Sequence, residues 1–210
     1  MIIAIDGPAA SGKGTLARRL ASHFGFAHLE TGLLYRAVAL GMIRVEGAEN
    51  DSQTAESIAK NLLPTDLQDP EIRSEETGEV ASHFATMPNV RSALRKFQRN
   101  FATNPPNGAK GAVVDGRDIG SVILPEADYK LFVTASENER ARRRWAELQN
   151  RSDPPNFDLI LSQLKERDRR DTERKVSPLT PAPDSYLLDT TDLDIDAAFA
   201  AAKAYISGPA

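Results

Sequence analysis

Ile2-Ile3-Ala4-Ile5-Asp6 runs directly into Gly7-Pro8-Ala9-Ala10-Ser11-Gly12-Lys13-Gly14-Thr15. An apolar strand ends in a glycine-rich turn, and the turn opens a helix. Strand, turn, lysine and helix in that order make a loop built for phosphate. Gly7, Gly12 and Gly14 lack the Cβ atoms that would hold a ligand off the backbone. The helix opening near Lys13 adds unsatisfied N–H groups and the positive end of its dipole. Lys13 supplies a mobile point charge for outer phosphates. The hydroxyl usual directly after the lysine is displaced by one position. Gly14 stands there, and Thr15 follows as the candidate magnesium-side hydroxyl.

The rest of the chain reads outward from this loop. Its 210 residues suit one domain, which buries roughly 70% of its unfolded surface. The net charge of −4 gives no global basic field to recruit nucleic acid. With no cysteine, disulfides, thiolate catalysis and cysteine-held zinc are excluded. No 18-residue apolar run is present, so a soluble protein without a membrane span is expected.

Leu16, Leu20 and Phe24 form one stripe of the first helix, with Gly25 as its C-cap. A strand near residues 26–29 leads to Glu30-Thr31-Gly32, then to a helix carrying Leu34, Val38, Met42 and Val45. From Glu46 to about Pro70 the chain turns polar and weakly periodic, anchored by Ile58, Leu62 and Leu63; this reads as an insertion outside the core. Two helices follow, one with Val80, Phe84 and Met87, the next with Val90, Leu94, Phe97 and Phe101 inward. Arg91, Arg95 and Arg99 fall on another face, a pattern that by itself points to solvent. Ala112–Val114 and Leu131–Val133 are short strands. Ser136 with Glu139 predicts a capping box for a helix bearing Arg140, Arg142, Arg143 and Arg144. That helix fades into a polar, proline-containing loop over 150–155. A long helix starts near Phe157, Tyr186–Leu188 is the last strand, and a terminal helix turns Ile195, Phe199, Ala202 and Ile206 inward.

Strands alternating with helices predict an α/β fold, a three-layer α/β/α arrangement with a parallel central sheet and helices on both faces. Such sheets place ligands outside their carboxyl ends. Asp6-Gly7, Glu30-Thr31, Asp115–Asp118 and Asp189-Thr190 all fall there.

Two constellations beside the loop carry chemistry. In Asp115-Gly116-Arg117-Asp118, Asp115 suits magnesium held through water and Arg117 suits a phosphate. Asp118 suits an amino or hydroxyl donor. In the long helix, the core stripe of Ile160 and Leu164 continues as Arg167, Asp171 and Arg174. Charges on a core-facing stripe need partners or ligands; steps of four and three let neighbours touch, and the guanidiniums suit anionic phosphates. The arginines at 140–144 read as part of a closing flap. His23, His28 and His83 lack ligand spacing or a nucleophile partner and are assigned no chemistry.

These pieces together resemble the bacterial-type cytidylate kinases among the nucleoside monophosphate kinases. The resemblance covers nearly the whole chain. Its specific parts are Gly7–Thr15, Thr31-Gly32-Leu33-Leu34-Tyr35-Arg36, Asp115–Asp118, Glu166 to Arg174 and Ser177-Pro178-Leu179. It implies that Arg36, Arg117 and Arg174 meet the acceptor's phosphate, and that Tyr35, Arg167 and Asp171 meet its sugar. Ser82, Arg91 and Asp118 would read its base, with Thr31 nearby. ATP would lie on Gly7, Pro8, Ala9, Ala10, Ser11, Gly12, Lys13, Gly14 and Thr15, with Arg140 and Arg144 closing over it and magnesium at Thr15 and Asp115. Residues 30–102 would form the acceptor region and 140–157 a lid, within a single cytoplasmic domain acting as a monomer. Two departures stand out. Glu30 replaces the family's usual Asp, and the insertion before Ser82 is short, without a strand-rich hairpin.

The expected reaction is transfer from ATP to CMP or dCMP. Another small acceptor, or a regulatory nucleotide hydrolase with no acceptor, is the alternative. No Asn/Thr-Lys-x-Asp guanine-reading element is present, and the arginine supply suits a second anionic substrate.

Overall fold

The apolar runs are hydrophobic without alternation because both faces of the sheet they form are covered. The computed structural model describes residues 1–48, 50–149 and 155–208. β1 (Ile2–Asp6), β2 (Ala27–Glu30), β3 (Ala112–Gly116), β4 (Tyr129–Thr134) and β5 (Tyr186–Asp189) pair in the order β2-β3-β1-β4-β5. Every pairing is parallel. β1 is central, and the connections leave it toward opposite edges, which opens a crevice at its carboxyl end. The α/β arrangement expected from the sequence is present.

One face is covered by α1 (Lys13–Phe24) and α8 (Ile195–Ser207). Leu16 and Leu20 pack there with Ile3, Ile5, Val113, Leu131 and Val133. The other face holds α2 (Gly32–Arg44), α3 (Ser52–Lys60), α4 (Glu75–Phe84) and α5 (Pro88–Thr103). Leu34, Val38, Phe84 and Leu94 meet Ala4 and Val114 there. α6 (Glu137–Leu148) and α7 (Phe157–Glu173) form a pair, and Ala141, Leu148, Ile160 and Leu164 pack against Ala9 of the glycine loop. Gly25 ends α1 in the left-handed region at φ 67°.

Three sequence expectations are corrected. The stretch 46–70 is not outside the core: α3 lies within it, and Ala55 and Ala59 are buried against α2 and α5. Two alanines one turn apart make a helix face too small to register as apolar periodicity, yet flat enough for close packing. Leu63 is exposed. At the chain's end Ile195 is also exposed, and Ala198 takes its expected place in the core, because the helix begins at Ile195 with Asp194 as N-cap. At α6, Ser136 Oγ accepts the Glu139 N–H, but the Glu139 carboxylate turns to Arg142 and Arg143 instead of closing the box. An opposite charge one turn along outbids a neutral N–H. The expected loop over 150–155 falls almost wholly on residues outside those described.

Candidate active site

The glycine loop bends back through left-handed backbone at Ala10 (φ 58°) and Gly12 (φ 85°). Such a reversal turns successive N–H groups into one anion-binding hollow. At Gly7 a Cβ would lie 2.0 Å from the Val133 carbonyl oxygen, so no side chain fits. Gly14 is different: it sits in α1 with ordinary space around it, so close approach does not require a glycine there. Ser11 Oγ is buried without a partner, which leaves a hydroxyl for a ligand to satisfy.

Lys13 Nζ donates to Pro8 O at 3.1 Å. Burial pushes its ammonium down to about 7, and Arg117 adds to the effect. A phosphate beside such an amine favours its charged form and draws the proton back.

The strand ends assemble the second half. β1 and β3 pair so that Asp6 lies beside Gly116. The Asp6 carboxylate accepts the N–H groups of Ile119 and Gly120 at 2.7 and 2.8 Å, pinning the turn after Asp115–Asp118. Burial raises Asp6 to about 6 against those two hydrogen bonds. Gly116 is needed for room: a Cβ would fall 2.6 Å from Thr31 Oγ1, which donates to Asp115 O.

Above this turn, one cavity of about 230 Å³ gathers every residue assigned to the acceptor by resemblance. Thr31, Tyr35, Arg36, Ser82, Arg91, Arg117, Asp118, Arg167, Asp171 and Arg174 all line it, with Lys13 and Asp115. Six basic side chains face four carboxylates there, so the cavity favours an anion. Arg91 and Asp118 form a buried pair at 2.5 Å, and Arg174 Nη2 lies 3.6 Å from the same carboxylate. The Arg91 guanidinium also lies 5.7 Å from the Tyr35 ring centroid. Arg91 therefore leaves the solvent stripe that its spacing alone suggests.

The ladder on α7 pairs differently from its helical spacing. Among the described residues Asp171 bonds neither Arg167 nor Arg174; it accepts from Arg117 Nε at 2.8 Å. A neighbour on a facing element can approach a carboxylate end-on, whereas helix neighbours must bend to meet it. Burial alone would raise Asp171, but Arg117 and Arg167 outweigh it and hold it below the ordinary carboxylate value. Arg167 is pushed down to about 10 by burial, with Arg117 and Arg36 also bearing on it. Its Nε is buried without a hydrogen bond, as is Arg174 Nη2, whose nearest carboxylate oxygen stands off at 3.6 Å. Buried donors left over at a cavity wall call for an acceptor group.

Two expectations about the flap are corrected, and the two residues expected at magnesium line different cavities. Arg140 is not poised over the loop but buried beneath it, donating to Ala135 O, Ala9 O and Asp168. Arg144 pairs with Glu147 and lines a groove with Arg36, Arg167 and Arg170, on the acceptor side. Arg143 stands at the loop instead, beside Ser11, Gly12 and Thr15, and donates to Thr190. Three and four residues beyond Arg140, Arg143 and Arg144 splay to opposite sides of its line. Thr15 lines that donor-side cavity and its hydroxyl accepts from Arg18, while Asp115 lines the other cavity with Lys13. Gly14 intervenes after the lysine, and the helical turn carries Thr15 away from the Lys13 side. No cluster of three acidic or histidine ligands occurs among the described residues. The lone Asp115 carboxylate fits magnesium that keeps its waters and takes phosphate oxygens, not a protein cage.

Sequence reasoning missed His28, whose Nε2 lies 2.7 Å from Asp115 Oδ2. It also gave no role to Asp168, which pairs with Arg140, and missed the pair between Glu30 and Arg73 at 2.9 Å. None carries a spacing signal, since each partner comes from a distant segment.

A glycine loop at the central strand, facing a separate arginine-lined cavity, defines a phosphate-handling α/β protein with room for two ligands. The fold agrees with solved structures. An uncharacterized protein from Eubacterium ventriosum superposes with TM-score 0.60 at 17% identity, covering 99% of both chains. Shikimate kinase from Bacteroides thetaiotaomicron gives 0.51 at 11%, covering 99% and 97%. In sequence, residues 3–207 match the family model described as cytidylate kinase. The chain is 54% identical over 205 residues to a cytidylate kinase of Paramagnetospirillum magneticum, spanning 98% of this chain and 97% of that one. It is 56% identical over 196 residues to one of Cereibacter sphaeroides, spanning 93% and 90%. The chain belongs to the cytidylate kinase family.

Proposed function

We propose that the protein transfers the terminal phosphoryl group of ATP to CMP and dCMP. The observation that carries the acceptor half is the convergence of Arg36, Arg117, Arg167 and Arg174 on one cavity with Lys13. A phosphorylated acceptor supplies the anion that the unpartnered guanidinium donors require.

The acceptor oxygen is already ionised, so no general base is needed. Alignment and electrostatic stabilisation supply the rate. In this reading the loop amides and Lys13 hold the outer phosphates of ATP. Arg117, Arg167 and Arg174 neutralise the transferring group, whose charge spreads over its equatorial oxygens. Tyr35, Arg167 and Asp171 hold the sugar; Ser82, Arg91 and Asp118, with Thr31, hold the base. Arg143 takes the place at the donor that the sequence assigned to Arg144. Magnesium, when bound, lowers the charge repulsion among the phosphates, and Asp115 is the residue that would hold it.

Residues from about 30 to 102 then form the acceptor region and a lid runs from about 140 to 157, of which 150–154 lie outside the described residues, within one domain. Their closure excludes water. Among the described residues no helix is long and apolar enough to cross a membrane. The reading extends to a cytoplasmic monomer, which light scattering after size exclusion tests for oligomeric state.

The test is ADP release with CMP, dCMP, UMP, AMP and no acceptor. CMP and dCMP should be fastest. Faster turnover of AMP than CMP would end the cytidine assignment, and acceptor-independent hydrolysis would favour a nucleotide hydrolase.

A further inference from the structure

Side chains alternate across a strand. The register of β2 on β3 sets Glu30 beside Asp115 and His28 beside Val113, so His28 and Asp115 project from the same face of the sheet. That is the face α1 covers, and α1 begins at Lys13. The diagonal between the two strands closes to 2.7 Å from His28 Nε2 to Asp115 Oδ2.

Asp115 is 3% exposed and lines the cavity that holds Lys13 and Arg117. In the tautomer that carries its proton on Nε2, the imidazole donates to this carboxylate. That bond occupies Oδ2 and fixes the rotation of the carboxylate. Among the described residues Oδ1 takes no protein hydrogen bond, so it is the oxygen left for a ligand. No other side chain among the described residues hydrogen-bonds this carboxylate.

We infer that His28 is a positioning residue for phosphoryl transfer, clamping Asp115 so that Oδ1 stays presented to the magnesium-bearing end of ATP. This rests on the assignment of Asp115 proposed above. Partners of this kind orient a metal-facing carboxylate without touching the metal. The sequence offers no hint of the role, since the two residues lie 87 positions apart.

The test compares full-length wild type with His28→Leu and His28→Gln. Leucine fills the space and removes the donor, whereas the glutamine side-chain N–H reaches as far as imidazole Nε2. His28→Asn, whose donor stops one bond short, controls for reach. Mn2+ affinity in the presence of ATP, read from the electron paramagnetic resonance of free Mn2+, is measured beside kcat and KM. Thermal unfolding reports on the fold.

His28→Leu and His28→Asn should lose about tenfold or more in both Mn2+ affinity and kcat, with the KM for CMP held within about twofold. His28→Gln should stay near wild type in both. The inference is overturned if His28→Leu keeps its Mn2+ affinity, or if His28→Gln falls as far as His28→Leu. If His28→Leu does not fold, His28→Asn against His28→Gln decides by the same criterion. Wild type failing to phosphorylate CMP would sink the functional reading instead, and the Mn2+ titration would still decide the role of His28.

Discussion

Arg117 Nε donates to Asp171 Oδ2 at 2.8 Å, joining the turn after β3 to the last turns of α7 across 54 residues of chain. Asp171 is also the carboxylate whose charge bears on Arg167. Asp171→Ala leaves both guanidiniums without this counter-charge and lets Arg117 swing. A charge-assisted bond contributes about 1.5–3 kcal/mol, so kcat/KM for CMP should fall by about tenfold to a hundredfold. ATP affinity, measured by titration, should hold.

Lys13 gives a prediction about protons. Burial has pushed its ammonium down to about 7, from 10.5 when exposed. At pH 8 the resting amine is mostly neutral, and a triphosphate beside it restores the charge. ATP binding should therefore take up about one proton, read by calorimetry in buffers of different ionisation enthalpy. Lys13→Met should take up none. Because the folded value lies below the unfolded one, the unfolded chain binds the extra proton between these values. The contribution of Lys13 to stability accordingly rises with pH from about 7 to 10.5.

Gly78 lies inside α4, where glycine costs about 1 kcal/mol relative to alanine. A Cβ there would fall 2.5 Å from Arg36 Nη2, the guanidinium that donates to the carbonyls of Ile72 and Ser74. Gly78→Ala should stabilise the helix while displacing Arg36. Thermal midpoint should rise as KM for CMP worsens by about twofold to tenfold, the worth of one ordinary hydrogen bond. A variant that becomes more stable with KM unchanged would show that Arg36 does not need its resting place.

Arg140 ties the loop to α7 through Ala9 O and Asp168. Arg140→Met breaks a buried pair and should cost about 3 kcal/mol in denaturant unfolding, with the KM for ATP rising. Arg144→Ala, which removes an exposed pair with Glu147, should leave stability almost unchanged.

The loop and the five strands were legible because each depends on short-range chemistry, whereas the assignment of residues to the acceptor came from the resemblance alone. Gly7 to Thr15 and Asp115 to Asp118 each sit in a continuous strand-then-turn context. What escaped depends on partners brought in from elsewhere. Helical spacing offered Arg167 and Arg174 to Asp171, but Arg117 from another element took it. Arg91 read as solvated because its counter-charge, Asp118, comes from a segment 27 residues away. Ala55 and Ala59 hid a core helix in a polar stretch, since alanine carries little hydropathy contrast. Arg143 and Arg144 are adjacent in sequence, and only the seating of α6 shows which one faces the loop.

In the proposed arrangement one cleft holds two nucleotides in separate halves, and Arg174 stands on the acceptor's side without contributing to the hold on ATP. Arg174 lines the acceptor cavity and does not line the one containing Ser11, Gly12 and Thr15. The direct measurement is turnover of CMP by Arg174→Ala beside its equilibrium affinity for ATP. Phosphoryl transfer should fall by about a hundredfold, the worth of a buried charge-assisted contact, with ATP affinity unchanged. An equal loss of ATP binding would place Arg174 on the donor and contradict the two-site arrangement.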